Sequence, residues 1–327
     1  MNANDDLISE LEYARASLFK AIDGLSRREL VETPIYGDWT IKDVLAHIIG
    51  WDYYVIGVLQ LMLQDRPTDL PAVDPDLRNR KSIAVWQDRS LAEVMAEAQA
   101  THRQILEIIS SLDQPEIDKR RERNGRMITI RSYVVGTLDE HERQHALEIE
   151  EWRRNLEQEI DPDLIIATLN QNRVAFTSIL DEVEESEVSA KGAIGVWSVN
   201  DLVGHVADWE QRMLDAARHI NDPAKPVVPP VGDDDADWDA IMVARRADKS
   251  WPETYHFMRR TQQAVDDFVA ELKPENWRLR GPYPFNDRGT LAELIIQIAD
   301  HYRDHIPGLV AWYENRNNFS VPFTPMN

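Results

Sequence analysis

The stretch Asp139-Glu140-His141-Glu142-Arg143-Gln144-His145 carries two histidines four residues apart in a segment with helical periodicity. Side chains at positions i and i+4 lie on one face of a helix, so both imidazoles can reach one ion. The rings stand in the apolar stripe of this helix, which reads Val134, Leu138, His141, His145, Ile149 and Trp152. A polar group buried without a partner costs about 1–3 kcal/mol, so the pair requires partners. A metal ion would satisfy both rings at once.

The same stripe returns 160 residues later, as Leu294, Ile298, His301, His305, Leu309 and Trp312. An earlier stretch repeats as well, because residues 197–205 (WSVNDLVGH) match residues 39–47 (WTIKDVLAH) at an offset of 158. Capping boxes recur at Ser90 and Ser250. The length of 327 residues is about twice that of a usual domain. The sequence therefore predicts two tandem domains, residues 1–158 and 159–327.

Each half is predicted to contain four amphipathic helices. In the first half these are residues 3–25, a helix that begins after a capping box at Thr40, residues 90–112 and residues 129–156. Residues 65–89 contain three prolines and are expected to be a long connection, and the tail after Arg316 is expected to be irregular. No stretch alternates convincingly as a strand. The predicted fold class is all-α, with two tandem four-helix bundles that pack as a pseudo-twofold pair.

The composition excludes several classes of protein. The chain has no cysteine, so disulfides, thiolate catalysis and cysteine-ligated zinc are excluded, and any thiol in its chemistry must arrive as a substrate. The formal charge of −22 argues against binding a phosphate backbone. The sequence has neither an apolar run of about eighteen residues nor a cationic, apolar leader. We therefore expect a cytoplasmic protein that binds neither nucleic acid nor membranes.

Six of the nine histidines occupy equivalent places in the two halves. One comes from the second helix and two from the fourth, which gives the triads His47, His141, His145 and His205, His301, His305. Three histidines with an open position are typical of catalytic zinc, and imidazole also suits nickel, iron and copper. The alternative is that these are partly buried histidines with ordinary hydrogen-bond partners. The other three, His102, His219 and His256, have no counterpart and are interpreted as surface or structural residues.

Residues 37–47 (GDWTIKDVLAH) and 195–205 (GVWSVNDLVGH), each followed by a helix with the H-x-x-x-H pair, resemble the DinB-like superfamily in both halves. The resemblance implies a four-helix bundle in which a divalent metal is held by the three histidines of each triad. Some members of that family are thiol-dependent transferases or isomerases, so it also implies a low-molecular-weight thiol as a cosubstrate. Among metals we expect zinc or nickel ahead of iron or manganese.

The segment His141–His145 also fits H-E-x-x-H, the zinc-protease helix in which the glutamate, here Glu142, is the general base. Two features argue against a protease: the second half has Tyr302 at this place, and a helical bundle offers no edge strand for an extended peptide. Glu142 could still act on metal-bound water, but it lies about 100° around the helix from His141. A solvated acid is the favoured interpretation, and a catalytic base is the alternative.

Four more residues lie near the second-helix histidines. Trp51 and Trp209 follow those histidines by four positions and are interpreted as core residues or as the aromatic wall of a pocket. Asp52 and Glu210, one step further, are partners of the metal-bound imidazoles or surface acids. The acidic run Asp233, Asp234, Asp235, Asp237 and Asp239 is expected to be a solvated loop, with a calcium site as the weaker alternative.

Taken together, the residues predict a divalent-metal-dependent enzyme that acts on a small molecule. With what the resemblance implies, thiol S-transfer, hydrolysis and isomerisation all remain open as its reaction. The alternative is a non-catalytic, stress-related ligand binder or a metal-stabilised scaffold. An open coordination position would favour the enzyme, and a fourth protein ligand would favour the scaffold. The chain is expected to be a monomer with pseudo-dimeric domains or a homodimer.

Overall fold

The computed structural model describes residues 3–66, 74–123, 125–181, 183–189, 194–231 and 235–319. The chain divides into two compact units, Met1–Gln158 and Glu159–Asn327. The fold is all-α, as the helical periodicity of the sequence predicts. Each unit is organised around four long helices, with shorter elements between them.

The first unit contains the long helices α1 (Ala3–Ile22), α3 (Ile41–Leu63), α5 (Leu91–Ser110) and α8 (Glu140–Gln158). Between them lie the shorter elements α2 (Arg27–Val31), α4 (Pro75–Trp86), α6 (Gln114–Asp118), β1 (Arg121–Arg123), β2 (Arg126–Ile128) and α7 (Ile130–Val134). A single π-helical turn, Val135–Asp139, joins α7 to α8. Helix α1 packs against α8, and α3 packs against α4 and α5, and the apolar stripes of the long helices form two hydrophobic clusters.

The second unit repeats this order with α9 (Pro162–Leu180), α11 (Val199–Asn221), α13 (Trp251–Glu271) and α14 (Leu291–Phe319) as its long helices. Its shorter elements are α10 (Glu185–Val188), α12 (Asp235–Arg245), a 3₁₀ turn (Pro274–Arg278), β3 (Arg280–Pro282) and β4 (Arg288–Thr290). Helix α9 packs against α14, and α11 packs against α13. The last helix reaches Phe319, past the point where an irregular tail was expected, and residues 320–327 lie outside the described part of the chain.

The capping boxes predicted from the sequence start the helices that carry or support the triads. Thr40 and Asp43 form a reciprocal box at the start of α3, and Ser90 and Glu93 do so for α5. Each box satisfies two backbone donors that have no partner within the helix. The cap at Thr40 fixes where α3 begins, and this start determines which face of the helix carries His47.

One expectation for the connecting segments was wrong. Part of the connection predicted at 65–89 is helix α4, which Asp74 caps and Pro75 opens. Helix α4 buries no residue fully, so its sequence has no apolar stripe that would have revealed it. The two antiparallel hairpins, β1–β2 and β3–β4, have strands of three residues each, which is too short for alternation to be seen.

Among the described residues, α3 is the helix long and apolar enough to cross a membrane by length and composition alone. Of its most apolar window, 61% is buried inside the protein. Val44, Ile48 and Val55 of this helix are at most 1% exposed, and they pack in the first bundle. The hydropathy of α3 is therefore that of a core helix.

Candidate metal centres

The first triad converges on one point between α3 and α8. Nε2 of His141 lies 2.9 Å from Nε2 of His47 and 3.0 Å from Nε2 of His145. His47 comes from α3, whereas the other two occupy successive turns of α8. The helix faces inferred from the sequence thus bring the three rings together.

The second triad has the same geometry between α11 and α14. Nε2 of His301 lies 3.0 Å from Nε2 of His205 and 3.1 Å from Nε2 of His305. In each half the middle histidine of the cluster is the first one of the last helix. Both predicted triads are therefore assembled from the predicted residues.

Burial favours the neutral form of five triad imidazoles, those of His47, His141, His145, His301 and His305. It lowers the pKa of His47 to about 3, and the neighbouring His141 and His145 lower it further. Burial likewise lowers the pKa of His141 and of His305 to about 4 and that of His301 well below its ordinary value. A neutral imidazole has one nitrogen lone pair, which is the form that binds a metal. These five rings are in the ligand form at neutral pH.

Three neutral imidazole nitrogens facing one point fit a divalent cation. With metal–nitrogen bonds of about 2.1 Å, adjacent ligand nitrogens are about 3.0–3.4 Å apart, depending on the coordination geometry. The separations of 2.9–3.1 Å between the Nε2 atoms are those of adjacent ligands of one ion. Three protein donors also leave at least one position for water or a substrate.

The π-helical turn Val135–Asp139 keeps the first triad in register. From the helix cap at Thr129 to His141 there are 12 positions, whereas from the cap at Thr290 to His301 there are 11. A π turn closes its hydrogen bond one residue later than an α turn and so absorbs a single inserted residue. The π turn thus accommodates the extra residue of the first half, so that the helix regains its usual phase before His141. Both histidine pairs consequently face their cores in the same way.

Glu142 was interpreted as a solvated acid or a catalytic base, and its position in the structure corrects both interpretations. It is 2% exposed, and Nε and Nη2 of Arg15 donate to its two oxygens at 2.9 and 2.7 Å. Burial raises the pKa of Glu142, and the guanidinium of Arg15 opposes that shift. With both oxygens held by Arg15, Glu142 is not available as a base at the metal.

Asp52 also lies away from the imidazoles and binds Arg15. The Nη2 atom of Arg15 donates to its two oxygens at 3.1 and 2.9 Å, and the hydroxyl of Thr101 donates to Oδ2. Asp52 is 0% exposed, so it is not a surface acid, and its hydrogen bonds go to Arg15 and Thr101 rather than to His47. Arg15, Asp52 and Glu142 form a buried ionic cluster beside the triad.

The second half builds a related cluster around Arg173, 158 residues after Arg15. Its guanidinium binds Glu210, which is 1% exposed, and Asp266, which is 47% exposed. Tyr302, which stands at the place of Glu142, donates its hydroxyl to Glu210 at 2.7 Å and accepts a hydrogen bond from Gln262 at 3.0 Å. Glu210 is therefore also not a surface acid, and here a phenol replaces the second carboxylate.

Two carboxylates that the sequence did not assign to the triads lie next to them. Glu148 Oε2 is 3.0 Å from Nδ1 of His145, and the hydroxyl of Tyr36 is 3.4 Å from the same nitrogen. In the second half, Asp239 Oδ1 is 3.2 Å from Nδ1 of His205. A carboxylate next to Nδ1 directs the lone pair of the ring to Nε2, towards the metal. The signal for Glu148 was its place one turn after His145.

Asp239 was expected in a solvated acidic loop, with calcium as an alternative. The structure places it on α12, where it also accepts a hydrogen bond from Nε1 of Trp209 at 2.9 Å. Asp233 and Asp234 lie outside the described residues, and of Asp235 and Asp237 only the backbone is described. The part of the run that is described belongs to the second triad rather than to a separate loop.

The first triad opens into a cleft of about 620 Å³ lined in part by Tyr36, Trp39 and Trp51. Trp51 also borders a neighbouring cleft of about 420 Å³ together with Thr137 and Gln144. Trp51 is thus the pocket wall that one of the two sequence interpretations expected.

Trp209 differs from its counterpart Trp51. It is 7% exposed and packs against Trp238 and Phe285, with ring centroids 6.3 Å away in both cases. Trp209 therefore fits the core interpretation, so the two equivalent tryptophans have different environments.

Comparison with known proteins gives one family. Residues 10–149 and residues 168–307 each match the DinB superfamily. Among solved structures, the chain is similar to an uncharacterised protein from Escherichia coli UTI89 at 13% identity, over 47% of this chain and 95% of that chain, with a TM-score of 0.40. No curated protein matches the chain. The two family matches include all six triad histidines.

Proposed function

Because the chain belongs to the DinB superfamily in both of its halves, we propose that it is a divalent-metal-dependent enzyme that acts on a small molecule. The observation that carries the proposal is the convergence of three neutral imidazoles on one point, which opens into a cleft in the first half. The reaction class is thiol S-transfer, hydrolysis or isomerisation. Zinc and nickel are the foremost metals, followed by iron and manganese.

A divalent ion held by a triad would act as a Lewis acid and lower the pKa of a bound water or thiol. The residues around the first triad set what can approach. The rings of Tyr36, Trp39 and Trp51 form an aromatic wall, and Gln144 borders both clefts as an amide that can donate or accept a hydrogen bond. This lining suits a small, partly apolar substrate rather than a polymer. We propose action in the cytoplasm without nucleic acid or membrane partners, by a monomer or a homodimer.

The second half gives some support to a non-catalytic role for its own triad. Trp238 and Phe285 pack against Trp209, so the wall beside His301 is filled by side chains of the chain itself. A metal in this triad would join α11 to α14 and stabilise the bundle. Under this second candidate, the first triad performs the chemistry and the second one is structural.

We expect elemental analysis of untagged protein to find two equivalents of divalent metal per chain. His141→Ala removes the nitrogen that lies between the other two of the first triad, so that variant is expected to hold one equivalent. His301→Ala is expected to hold one equivalent for the same reason in the second half. The double variant is expected to hold none.

The matched control is His219→Ala, which removes a histidine outside both triads and should leave two equivalents. Circular dichroism of each variant establishes that the helices persist. Wild-type protein that holds no metal, and takes up none on reconstitution with zinc, nickel, iron or manganese, would refute the proposal.

A second measurement separates the enzyme from the scaffold. Protein loaded with cobalt(II) in the His301→Ala background has only the first triad filled, and an open position there lets an added thiol bind the ion. We expect 2-mercaptoethanol to produce a thiolate-to-cobalt charge-transfer band in the near ultraviolet. The same titration in the His141→Ala background reports the second triad. No change in the cobalt spectrum of the first triad would favour the scaffold.

A further inference from the structure

In each half, one triad histidine has a carboxylate beside its Nδ1 atom, but the two halves use different histidines of the triad. In the first half the carboxylate is Glu148, on the same helix as His145. In the second half it is Asp239, on α12, and it faces His205 of α11. Equivalent histidines therefore have different surroundings although the Nε2 clusters have the same spacing.

The sequence accounts for this difference position by position. The place of Glu148 is taken in the second half by Gly308, 160 residues later, and the place of Tyr36 by Ile194, 158 residues later. Tyr36 and Ile194 are equivalent in structure as well, since each forms an isolated β-bridge to the following tryptophan, Trp39 or Trp197. A Cβ atom on Gly308 would lie 3.5 Å from Ile194 Cγ2. The glutamate and the tyrosine that lie beside His145 are thus replaced by a glycine and an isoleucine at the equivalent positions of the second half.

At the other position the difference runs the opposite way: the second half has the carboxylate, beside His205, and the first half has a neutral residue beside His47. The place of Asp239 is taken in the first half by Asn79, on α4, which borders His47 in the same cleft. The side chain of Asn79 lies within hydrogen-bonding reach of His47, just as Oδ1 of Asp239 lies 3.2 Å from Nδ1 of His205. An amide there brings no charge, whereas Asp239 brings a full negative charge to His205. Each half therefore has one carboxylate beside its triad, at His145 in the first half and at His205 in the second.

Both carboxylates are held by a second donor of the protein. Nε2 of Gln144 donates to Oε1 of Glu148 at 2.8 Å, and Nε1 of Trp209 donates to Oδ1 of Asp239 at 2.9 Å. Nε1 of Trp51, the counterpart of Trp209, has no hydrogen-bond partner among the described residues. The orientation of each carboxylate is therefore fixed before any ion binds.

We infer that each metal centre uses one charged positioning residue, Glu148 acting through His145 in the first half and Asp239 acting through His205 in the second. This inference rests on the proposed function, because it concerns how tightly each triad holds its ion. A carboxylate that accepts from Nδ1–H fixes the tautomer and ring orientation and makes Nε2 a better donor. Removing such a partner commonly lowers metal affinity about 10–100-fold.

The test measures cobalt(II) affinity by competition with a chelator in chains that keep a single triad. In the His301→Ala background, Glu148→Gln is expected to weaken cobalt binding to the first triad about 10–100-fold, while Asp239→Asn has no effect. In the His141→Ala background, Asp239→Asn is expected to weaken binding to the second triad by a similar factor, while Glu148→Gln has no effect. Both substitutions keep the size of the side chain and remove only its charge.

Rescue distinguishes a positioning role from a merely structural one. Asn79→Asp places a carboxylate beside His47, as in the second half, so combining it with Glu148→Gln is expected to restore the affinity of the first triad to within a few-fold of the parent. Single-triad parents that bind no cobalt would refute the proposed function itself. Parents that bind cobalt, with Glu148→Gln and Asp239→Asn variants that bind it equally tightly or with no rescue by Asn79→Asp, would refute only this inference.

Discussion

Replacing Arg15 with methionine is expected to lower the free energy of unfolding of the first bundle by about 3–5 kcal/mol. The Arg15 side chain is 5% exposed, and its partners Asp52 and Glu142 are 0% and 2% exposed. Without the guanidinium, two carboxylates remain buried with no cation beside them, which is the costly way to disrupt an ionic cluster. Methionine keeps the unbranched stem of arginine, so the loss reports mainly the missing charge.

Hydrogen exchange followed by mass spectrometry can measure this loss in the intact chain, because peptides from residues 1–158 report the first bundle separately. Peptides from the second bundle serve as an internal reference. Arg89→Met is the matched control, since the pair Arg89–Glu93 is 60% and 50% exposed and should contribute no more than about 0.5 kcal/mol. Unchanged protection in peptides of α1, α3 and α8 of the Arg15→Met variant would contradict the prediction.

The position of this cluster explains how the first triad is held. Asp52 lies on α3, the helix of His47, and Glu142 follows His141 on α8. Arg15 on α1 binds both acids, so it connects the two helices that supply the histidines of the first triad. The spacing of the imidazoles is thereby set by the protein, and an ion meets a preorganised site. The cluster supports the site without touching the ion.

The sequence predicted the triads because local rules and the duplication suffice for them. A capping box fixes the start of α3, helical periodicity fixes the face of His47, and the i, i+4 spacing places His141 beside His145. The repeat at offsets of 158–160 then doubles the pattern. The meeting of His47 with that pair follows from the four-helix bundle, which the resemblance to the DinB-like superfamily implies.

The ionic clusters could not be predicted in this way, because they depend on packing between helices. The helical phase correctly turns Glu142 away from the metal, but it cannot tell that α1 covers that face and that Arg15 comes from it. A signal for Arg15 was present, since it follows Leu11 by four positions on the buried stripe and recurs as Arg173. A single arginine in an apolar stripe, however, does not indicate a buried ionic cluster.

The residues beside His47 and His205 could not be predicted for a different reason. Asn79 lies on α4, whose sequence has no apolar stripe, and Asp239 lies on α12, a short helix that begins within the acidic run. A segment without periodicity is interpreted as a loop, so the acids within it are assigned to solvent. The π turn before His141 could be found only by comparing the two halves, because the insertion is a single residue.

Replacing Arg173 with methionine is expected to destabilise the second bundle by about 3 kcal/mol, the lower end of the range for a broken buried pair. Only one acid is left buried in this case, because Asp266 is 47% exposed and can be solvated once it is free. Glu210 also keeps the hydrogen bond from the hydroxyl of Tyr302 at 2.7 Å. Peptides from residues 159–319 report this loss by hydrogen exchange, with the first bundle as the reference.

A double-mutant cycle with Tyr302→Phe tests whether Arg173 and Tyr302 act on the same carboxylate. Both donate to Glu210, one to each oxygen, so removing either one makes the carboxylate depend on the other. In the Arg173→Met background, the phenol is the remaining hydrogen-bond donor among the groups in this cluster. The two losses are therefore expected to deviate from additivity by about 0.5–3 kcal/mol, as for residues that share one network. Strictly additive losses would mean that Tyr302 stabilises the bundle through Gln262 and packing rather than through Glu210, and that the two halves neutralise their buried acids by unrelated means.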